Sequence, residues 1–169
     1  MNKDIYSAGI LPYYKKNDSI YFLLGKDNDN RWSDFGGKVE AKDKFDKDIT
    51  AAREFWEESM GAIYDYDIIK KIIKYRKCPY IISKTISGHP YYMYLLKLDY
   101  SDNYRIKFIS TKNFINRLNI DRKYTEKNDI RWISIENIEN SKGFITLRTI
   151  FNTTFNDYKN DIINIINNY

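Results

Sequence analysis

The run Ile49-Thr50-Ala51-Ala52-Arg53-Glu54-Phe55-Trp56-Glu57-Glu58-Ser59 constrains the fold more than any other stretch of the chain. On a helix of 3.6 residues per turn, Phe45, Ile49, Ala52, Trp56 and Ser59 recur at i, i+4, i+7, i+11 and i+14, with Phe55 beside them. That face packs inward. Glu54, Glu57 and Glu58 stand at i, i+3 and i+4, so their carboxylates gather on the opposite face. Like charges on adjacent turns repel unless something positive lies between them. A hard divalent cation resolves the repulsion, and Mg²⁺ characteristically combines a few carboxylates with waters and substrate phosphates. Arg53 borders the patch and could pair with a carboxylate, holding its rotamer. A solvated acidic face would look the same on the helix alone, so the surroundings of the helix must decide.

Those surroundings read as one α/β layered domain over residues 1–169, with no internal repeat and no Pro/Gly/Ser linker. Residues 5–12 and 20–24 are predicted strands around a polar turn at Lys15-Lys16-Asn17-Asp18, and Phe35 to Val39 is a further extended piece. The helix is predicted from about Asp46 to Met60. Beyond Gly61, residues 67–75, 79–86 and 91–98 read as strands, 110–128 as a polar, basic insertion loop holding a short helix, and 130–134 as a last strand. The tail carries Leu147, Ile150, Phe151, Phe155, Tyr158, Ile162 and Ile166 at helical spacing. This helix is expected to pack on the sheet or to mediate dimerisation. Strands flanked by a middle and a terminal helix define the α/β class.

Upstream of the acidic helix lies Gly36-Gly37-Lys38-Val39-Glu40, and the segment Gly36–Gly61 as a whole resembles the Nudix box, G-x5-E-x7-R-E-U-x-E-E-x-G-U with U a bulky apolar residue. Arg53-Glu54-Phe55-Trp56-Glu57-Glu58 matches every defined position of its portion. Ala8-Gly9-Ile10-Leu11-Pro12, Leu23-Leu24-Gly25 and Trp32 resemble the first strands of such proteins. Gly37 to Arg53 spans sixteen positions where the pattern has fourteen, a two-residue insertion within Ala41–Lys47. The first Glu of the box therefore has no unique counterpart, and Asp43 or Asp46 could stand in. Met60 takes the glycine position with Gly61 one later, and Asp34-Phe35 replaces the proline often found before the paired glycines.

The resemblance implies a Nudix-like α/β/α sandwich with a mixed sheet and a pyrophosphohydrolase that uses Mg²⁺, for which Mn²⁺ can substitute. It implies that Glu57 and Glu58 bind metal, that Glu54 joins them or acts as general base oriented by Arg53, and that the Gly36 carbonyl completes the shell. Glu40 is an additional acid nearby. A further catalytic acid often lies far along such chains, and Glu126 and Asp129 are the candidates here. The implied reaction splits a nucleoside-diphosphate-X compound. The rivals are a binding module without catalysis and an isomerase, for which Cys78 would be the reactive residue.

Substrate choice leaves a fainter trace. Lys38 could contact phosphate. Lys112, Arg117, Arg122, Lys123 and Lys127 could grip a polyanion, as could Arg76 and Lys77. Trp32, Tyr91 and Tyr92 could stack on bases. A net charge of +5 suits an anionic partner and favours capped RNA or a dinucleoside polyphosphate over ADP-ribose, an inositol pyrophosphate or a nucleoside triphosphate. RNA is thus an expected partner and a membrane is not, because no apolar run approaches the ~20 residues of a span. His89, before Pro90, reads as a turn residue. The single cysteine, Cys78, excludes an internal disulfide and fits a reducing, cytoplasmic setting.

Overall fold

The computed structural model describes residues 5–75, 78–118, 125–140 and 145–169. In chain order the elements are β1 (Ser7–Lys16), β2 (Ser19–Asp27), β3 (Trp32–Ser33), β4 (Phe35–Lys38), α1 (Lys47–Glu58), α2 (Tyr66–Tyr75), β5 (Tyr80–Lys84), β6 (Pro90–Lys97), α3 (Asn103–Arg117), β7 (Lys127–Ser134), α4 (Ile135–Glu139) and α5 (Thr149–Asn168), with a single 3-10 turn at Ala41–Asp43 before α1.

The strands form one seven-stranded mixed sheet. β1 lies at its centre. It runs parallel to β6 on one side and antiparallel to β4 and then β2 on the other, so that Gly9 faces Gly36 and Tyr13 faces Phe22. β7 pairs along β2, and β5 closes the far edge against β6. Successive side chains alternate between faces, and here both faces are covered. Ala8, Ile10, Leu23, Phe35, Tyr94 and Leu96 pack with Phe55 of α1, Ile69 and Ile73 of α2 and Phe108 of α3. Leu11, Tyr13, Phe22, Leu24, Met93 and Leu95 pack with Ile138 of α4 and with Phe151, Phe155, Ile162 and Ile166 of α5. The result is an α/β/α sandwich, as expected, with the tail helix committed to the sheet.

Several expected elements come out differently. Residues 67–75 are helical. Tyr66, Ile69 and Ile73 are spaced at i, i+3 and i+7, and the paired isoleucines take the helical period despite their strand propensity. The expected basic loop is largely α3, and the last strand begins at Lys127 rather than residue 130. Phe45 lies outside α1 in a left-handed conformation (φ 58°) and is exposed, because Asp46 caps the helix by accepting from the Asp48 amide. Leu147 precedes α5 and forms a parallel bridge to Trp32.

Phe155 is buried and meets Phe22 edge-to-face with ring centroids 5.5 Å apart, which pins α5 to the sheet. Phe155→Ala is expected to lower the unfolding free energy by about 3–5 kcal/mol, read as a shifted denaturant midpoint at unchanged m-value. A loss under about 1 kcal/mol, the low end for core truncations, would show that this ring does not anchor the helix.

Candidate active site

The site is organised around Arg53, whose guanidinium is buried midway along α1 against the loop that carries the insertion. The 3-10 turn and the left-handed residues Lys44 and Phe45 absorb the extra length and bring Asp43 back beneath the helix. Arg53 donates from Nε to Asp43 Oδ1 (2.7 Å) and from Nη2 to Asp43 Oδ2 (2.8 Å) and the Lys38 carbonyl (2.9 Å). Its Nη1 donates to Glu54 Oε1 (2.8 Å) and Glu57 Oε2 (2.9 Å). Asp43 also accepts from the Glu40 amide and the Thr50 hydroxyl. Burial would raise the Asp43 carboxyl, but the guanidinium and these donors outweigh it and hold the group below its ordinary range. Of the two residues that sequence left open, Asp43 thus makes the fork-to-fork pair with Arg53, and Asp46 is the helix cap.

One oxygen each of Glu40, Glu54 and Glu57 lies within 4.8 Å of the others. Glu58 points inward instead. Its Oε2 accepts from the Gly36 amide at 2.8 Å and its Oε1 lies 3.6 Å from Lys127 Nζ. N–H and C=O of one residue leave a strand on the same side, so the Gly36 carbonyl shares the edge of β4 that faces α1. Gly37 turns its missing side chain to the same helix, where a Cβ would sit 2.5 Å from the Glu54 carboxyl. The glycine is required by that close approach.

Lys127 corrects the expectation of a surface cation. Its side chain is fully buried, and Nζ donates to Asp27 Oδ1 (2.6 Å), Ser33 Oγ (2.7 Å) and the Asp34 carbonyl (3.2 Å). Burial pulls its pKa down, but Glu58 and Asp27 outweigh that and the ammonium is held charged. One ammonium does not neutralise its neighbours. Burial pushes Glu58 up to about 8 and Asp34 up to about 6 even with Lys127 alongside. Glu54 is raised to about 7 by burial, then by Glu57 and Glu126, with Arg53 opposing.

The other candidates separate clearly. Glu126 is exposed at the start of β7 and near enough for its charge to act on Glu54. Asp129 is tied to Arg105 (2.7 Å) and Arg131 (2.8 Å), which lower its pKa against the effect of burial. Trp32 is buried, with Lys26 and Arg131 over its ring, so it offers no free face for stacking. Tyr91 is buried and donates to Asp34, while Tyr92 packs edge-on against Tyr6 and Tyr80. Lys112 is held by the Lys127 carbonyl and Asn128, whereas Arg117 is exposed at the end of α3. Arg76, Lys77, Arg122 and Lys123 lie outside the described residues. Cys78 donates to the Leu95 carbonyl, and burial raises its thiol to about 12, which makes it inert. His89 sits in the turn before β6, its amide donating to Thr85.

Sequence reasoning missed a cavity of about 370 Å³ on the α5 side of β4. Lys38, Gly36 and Gly37 form one wall, with Asp34, Tyr91, His89, Arg148, Ile86, Ile150 and Phe151 around it. Its residues come from four separate segments and carry no common motif. Asp34, in the Asp34-Phe35 pair that replaces the proline before the paired glycines, was the one visible signal.

No family model matches the chain. Over 68 residues it is 43% identical to "Uncharacterized protein L534" of Acanthamoeba polyphaga mimivirus, a stretch covering 37% of this chain and 22% of that protein. The match thus spans well under a third of that relative's length. Among solved structures, it is similar to the NUDIX domain of Shewanella oneidensis NrtR complexed with ADP ribose, with TM-score 0.57 and 8% identity over 93% of this chain and 87% of that one. It is also similar to Shewanella oneidensis NrtR itself, with TM-score 0.52 and 9% identity over 93% and 62%. The fold is Nudix-like, a mixed sheet between helical layers.

Raised carboxyl pKa values have a thermodynamic consequence. Glu54 (about 7) and Glu58 (about 8) bind protons more tightly folded than unfolded. Their contribution is fully present below the unfolded carboxylate pKa and is lost as pH rises through those folded values. Asp43, shifted the opposite way, acts only at lower pH. Metal-free protein is therefore expected to lose about 3 °C or more of thermal midpoint between pH 5 and pH 8.5. Glu54→Gln should flatten that slope. An equal slope in the variant would remove Glu54 as a cause.

Proposed function

We propose that the protein is a divalent-metal-dependent pyrophosphohydrolase acting on nucleoside-diphosphate-X compounds. The observation that carries this reading is the convergence of Glu40, Glu54 and Glu57 within 4.8 Å, beside the bare Gly36-Gly37 strand. The Nudix-like fold and the resemblance of this segment to the Nudix box support it. An all-oxygen, carboxylate-rich donor set fits Mg²⁺ or Mn²⁺, and the Gly37 cradle leaves room where a Cβ would collide with Glu54. Glu54, Glu57 and Glu40 would hold the ion, with the Gly36 carbonyl and Glu58 adjoining. When bound, such an ion supplies charge neutralisation of phosphoryl oxygens and acidification of water.

The chain's own groups do the rest. Glu54, with Oε1 held by Arg53 Nη1, keeps its second carboxylate oxygen to accept a proton. Water attacks phosphorus, its proton passes to Glu54, and the bridging P–O bond breaks to release two phosphorylated products. Arg53 fixes the Glu54 and Glu57 rotamers from below and offsets their repulsion. Glu126, exposed near Glu54, is the favoured additional acid, since Asp129 is already committed to two arginines. Lys38 and Arg148, both lining the cavity, suit the phosphate chain. Within this class we favour capped RNA or a dinucleoside polyphosphate, on the strength of the net charge of +5, and a cytoplasmic setting for the enzyme.

The test is product release with Mg²⁺ across capped RNA, dinucleoside polyphosphates, ADP-ribose, nucleoside triphosphates and inositol pyrophosphates. Glu54→Gln is expected to lower kcat by about 10²–10⁴-fold, and Glu57→Gln to raise the Mg²⁺ concentration needed for half-maximal rate. RNA as substrate predicts affinity falling steeply with salt. No turnover on any substrate, with no Mg²⁺ binding, would sink the enzyme and leave a binding module.

A further inference from the structure

The paired glycines have opposite neighbours. A Cβ on Gly37 would strike the Glu54 carboxyl on the α1 side, whereas a Cβ on Gly36 would lie 2.6 Å from the Tyr91 hydroxyl on the α5 side. The carboxylate cluster and the cavity are therefore separated by one strand without side chains. Both could be reached by a single ligand crossing the edge of β4.

The cavity lining carries both an acid and cations. Its volume of about 370 Å³ falls within the range of about 300–1,000 Å³ typical of small-molecule sites. Ile5, Ile86, Ile150 and Phe151 give it apolar walls, which suit a ring system better than a hydrated phosphate. Asp34 is its carboxylate, 6% exposed. The Tyr91 hydroxyl donates to Asp34 Oδ2, and Tyr91 is itself buried, so the acid cannot swing away. Lys38 and Arg148 are exposed on the same lining. The Asp34 carboxylate repels phosphate, and Lys38 and Arg148 attract it. What docks against Asp34 must present N–H donors.

Among the common bases, adenine and cytosine set one amino donor beside a ring acceptor, and uracil flanks one N–H with two carbonyls. Guanine alone offers two adjacent donors, N1–H and the 2-amino group, matched to the two oxygens of a carboxylate. We propose that this cavity takes a guanine-type base against the Asp34 carboxylate, with the phosphates leading over Gly36-Gly37 to the carboxylates of α1. The phosphate half of this assignment rests on the hydrolase reading. Asp34 is then a specificity residue, one position before Phe35, which directly precedes the paired glycines.

Calorimetric titration of GDP and ADP, with and without Mg²⁺, tests the assignment apart from catalysis. Wild-type protein should bind GDP about 5- to 100-fold tighter than ADP, the discrimination a two-bond base contact provides. Asp34→Asn puts an amino donor against the guanine edge and should erase that preference. Because Asp34 is buried, Ile150→Trp provides a second variant, which fills the cavity from α5 and should weaken both nucleotides alike. Equal binding of GDP and ADP, an unchanged preference in Asp34→Asn, or unchanged affinity in Ile150→Trp would each overturn the base assignment. Turnover of pyrophosphate substrates without guanine preference would leave the hydrolase standing and remove this site. Guanine-selective binding without turnover of any substrate would do the reverse.

Discussion

The Arg53–Asp43 pair is the interaction on which the site depends. An exposed ion pair contributes little, but this one is buried, bidentate and supplied with further donors and acceptors on both partners. Removing the arginine would leave the buried Asp43 carboxylate without its counter-charge, which costs about 3–5 kcal/mol in buried pairs. The arginine is therefore fixed, and because its remaining nitrogen serves Glu54 and Glu57 together, it orients both carboxylates. Lysine could not replace it, since an ammonium lacks the planar fork that spans Asp43 and reaches the helix face. The loop insertion is tolerated for the same reason: its extra residues are coiled into a turn that ends with Asp43 under the guanidinium.

A second cation supports the other side. Lys127 reaches from β7 into the space between β4 and α1, where Asp27, Glu58 and the Asp34 carbonyl converge. Negative groups outnumber positive ones here. Burial raises the pKa values of Glu54, Glu58 and Asp34, and neighbouring acids add to the rise at Glu54 and Glu58. A structure optimised for stability alone would substitute apolar residues at several of these positions. Holding like charges together in a low-dielectric setting is instead what a cation-binding site requires, and α1 and the core beneath it supply the rigidity.

How much of this was legible in the sequence varies element by element. α1 was, because apolar residues at helical period and acids on the other face are a local pattern that needs no tertiary knowledge. The hairpin of β1 and β2 was legible for a similar reason, with Asn17 taking the left-handed turn conformation between them. α2 was not, because Ile68, Ile69, Ile72 and Ile73 favour strand by composition and helix by spacing, and packing against α1 decided in favour of spacing. Lys127 and Trp32 were misjudged for a deeper reason. A lysine among polar residues reads as surface, and its burial follows only from Asp27 and Ser33, 100 and 94 positions away, in no pattern that adjacency reveals. The choice between Asp43 and Asp46 was equally a matter of loop conformation.

The division between what was legible and what was not follows the division of labour in the molecule. The carboxylates, the arginine and the glycines lie within one continuous segment, since a helix and the strand before it suffice to place them. The cavity is assembled from the start of β1, β4, the hairpin of β5 and β6, and the start of α5. Those pieces meet because β1 pairs with β4 on one side and β6 on the other, bringing Gly36 and Tyr91 together across Gly9. A Cβ at Gly9 would lie 2.4 Å from the Tyr91 hydroxyl, so even the central strand is bare where the two halves touch. The groups to which the proposed hydrolysis is assigned can therefore be read locally, whereas those proposed to select the ligand come together only once the sheet has formed. Asp34 belongs to both, being next to the motif in sequence and part of the cavity in space.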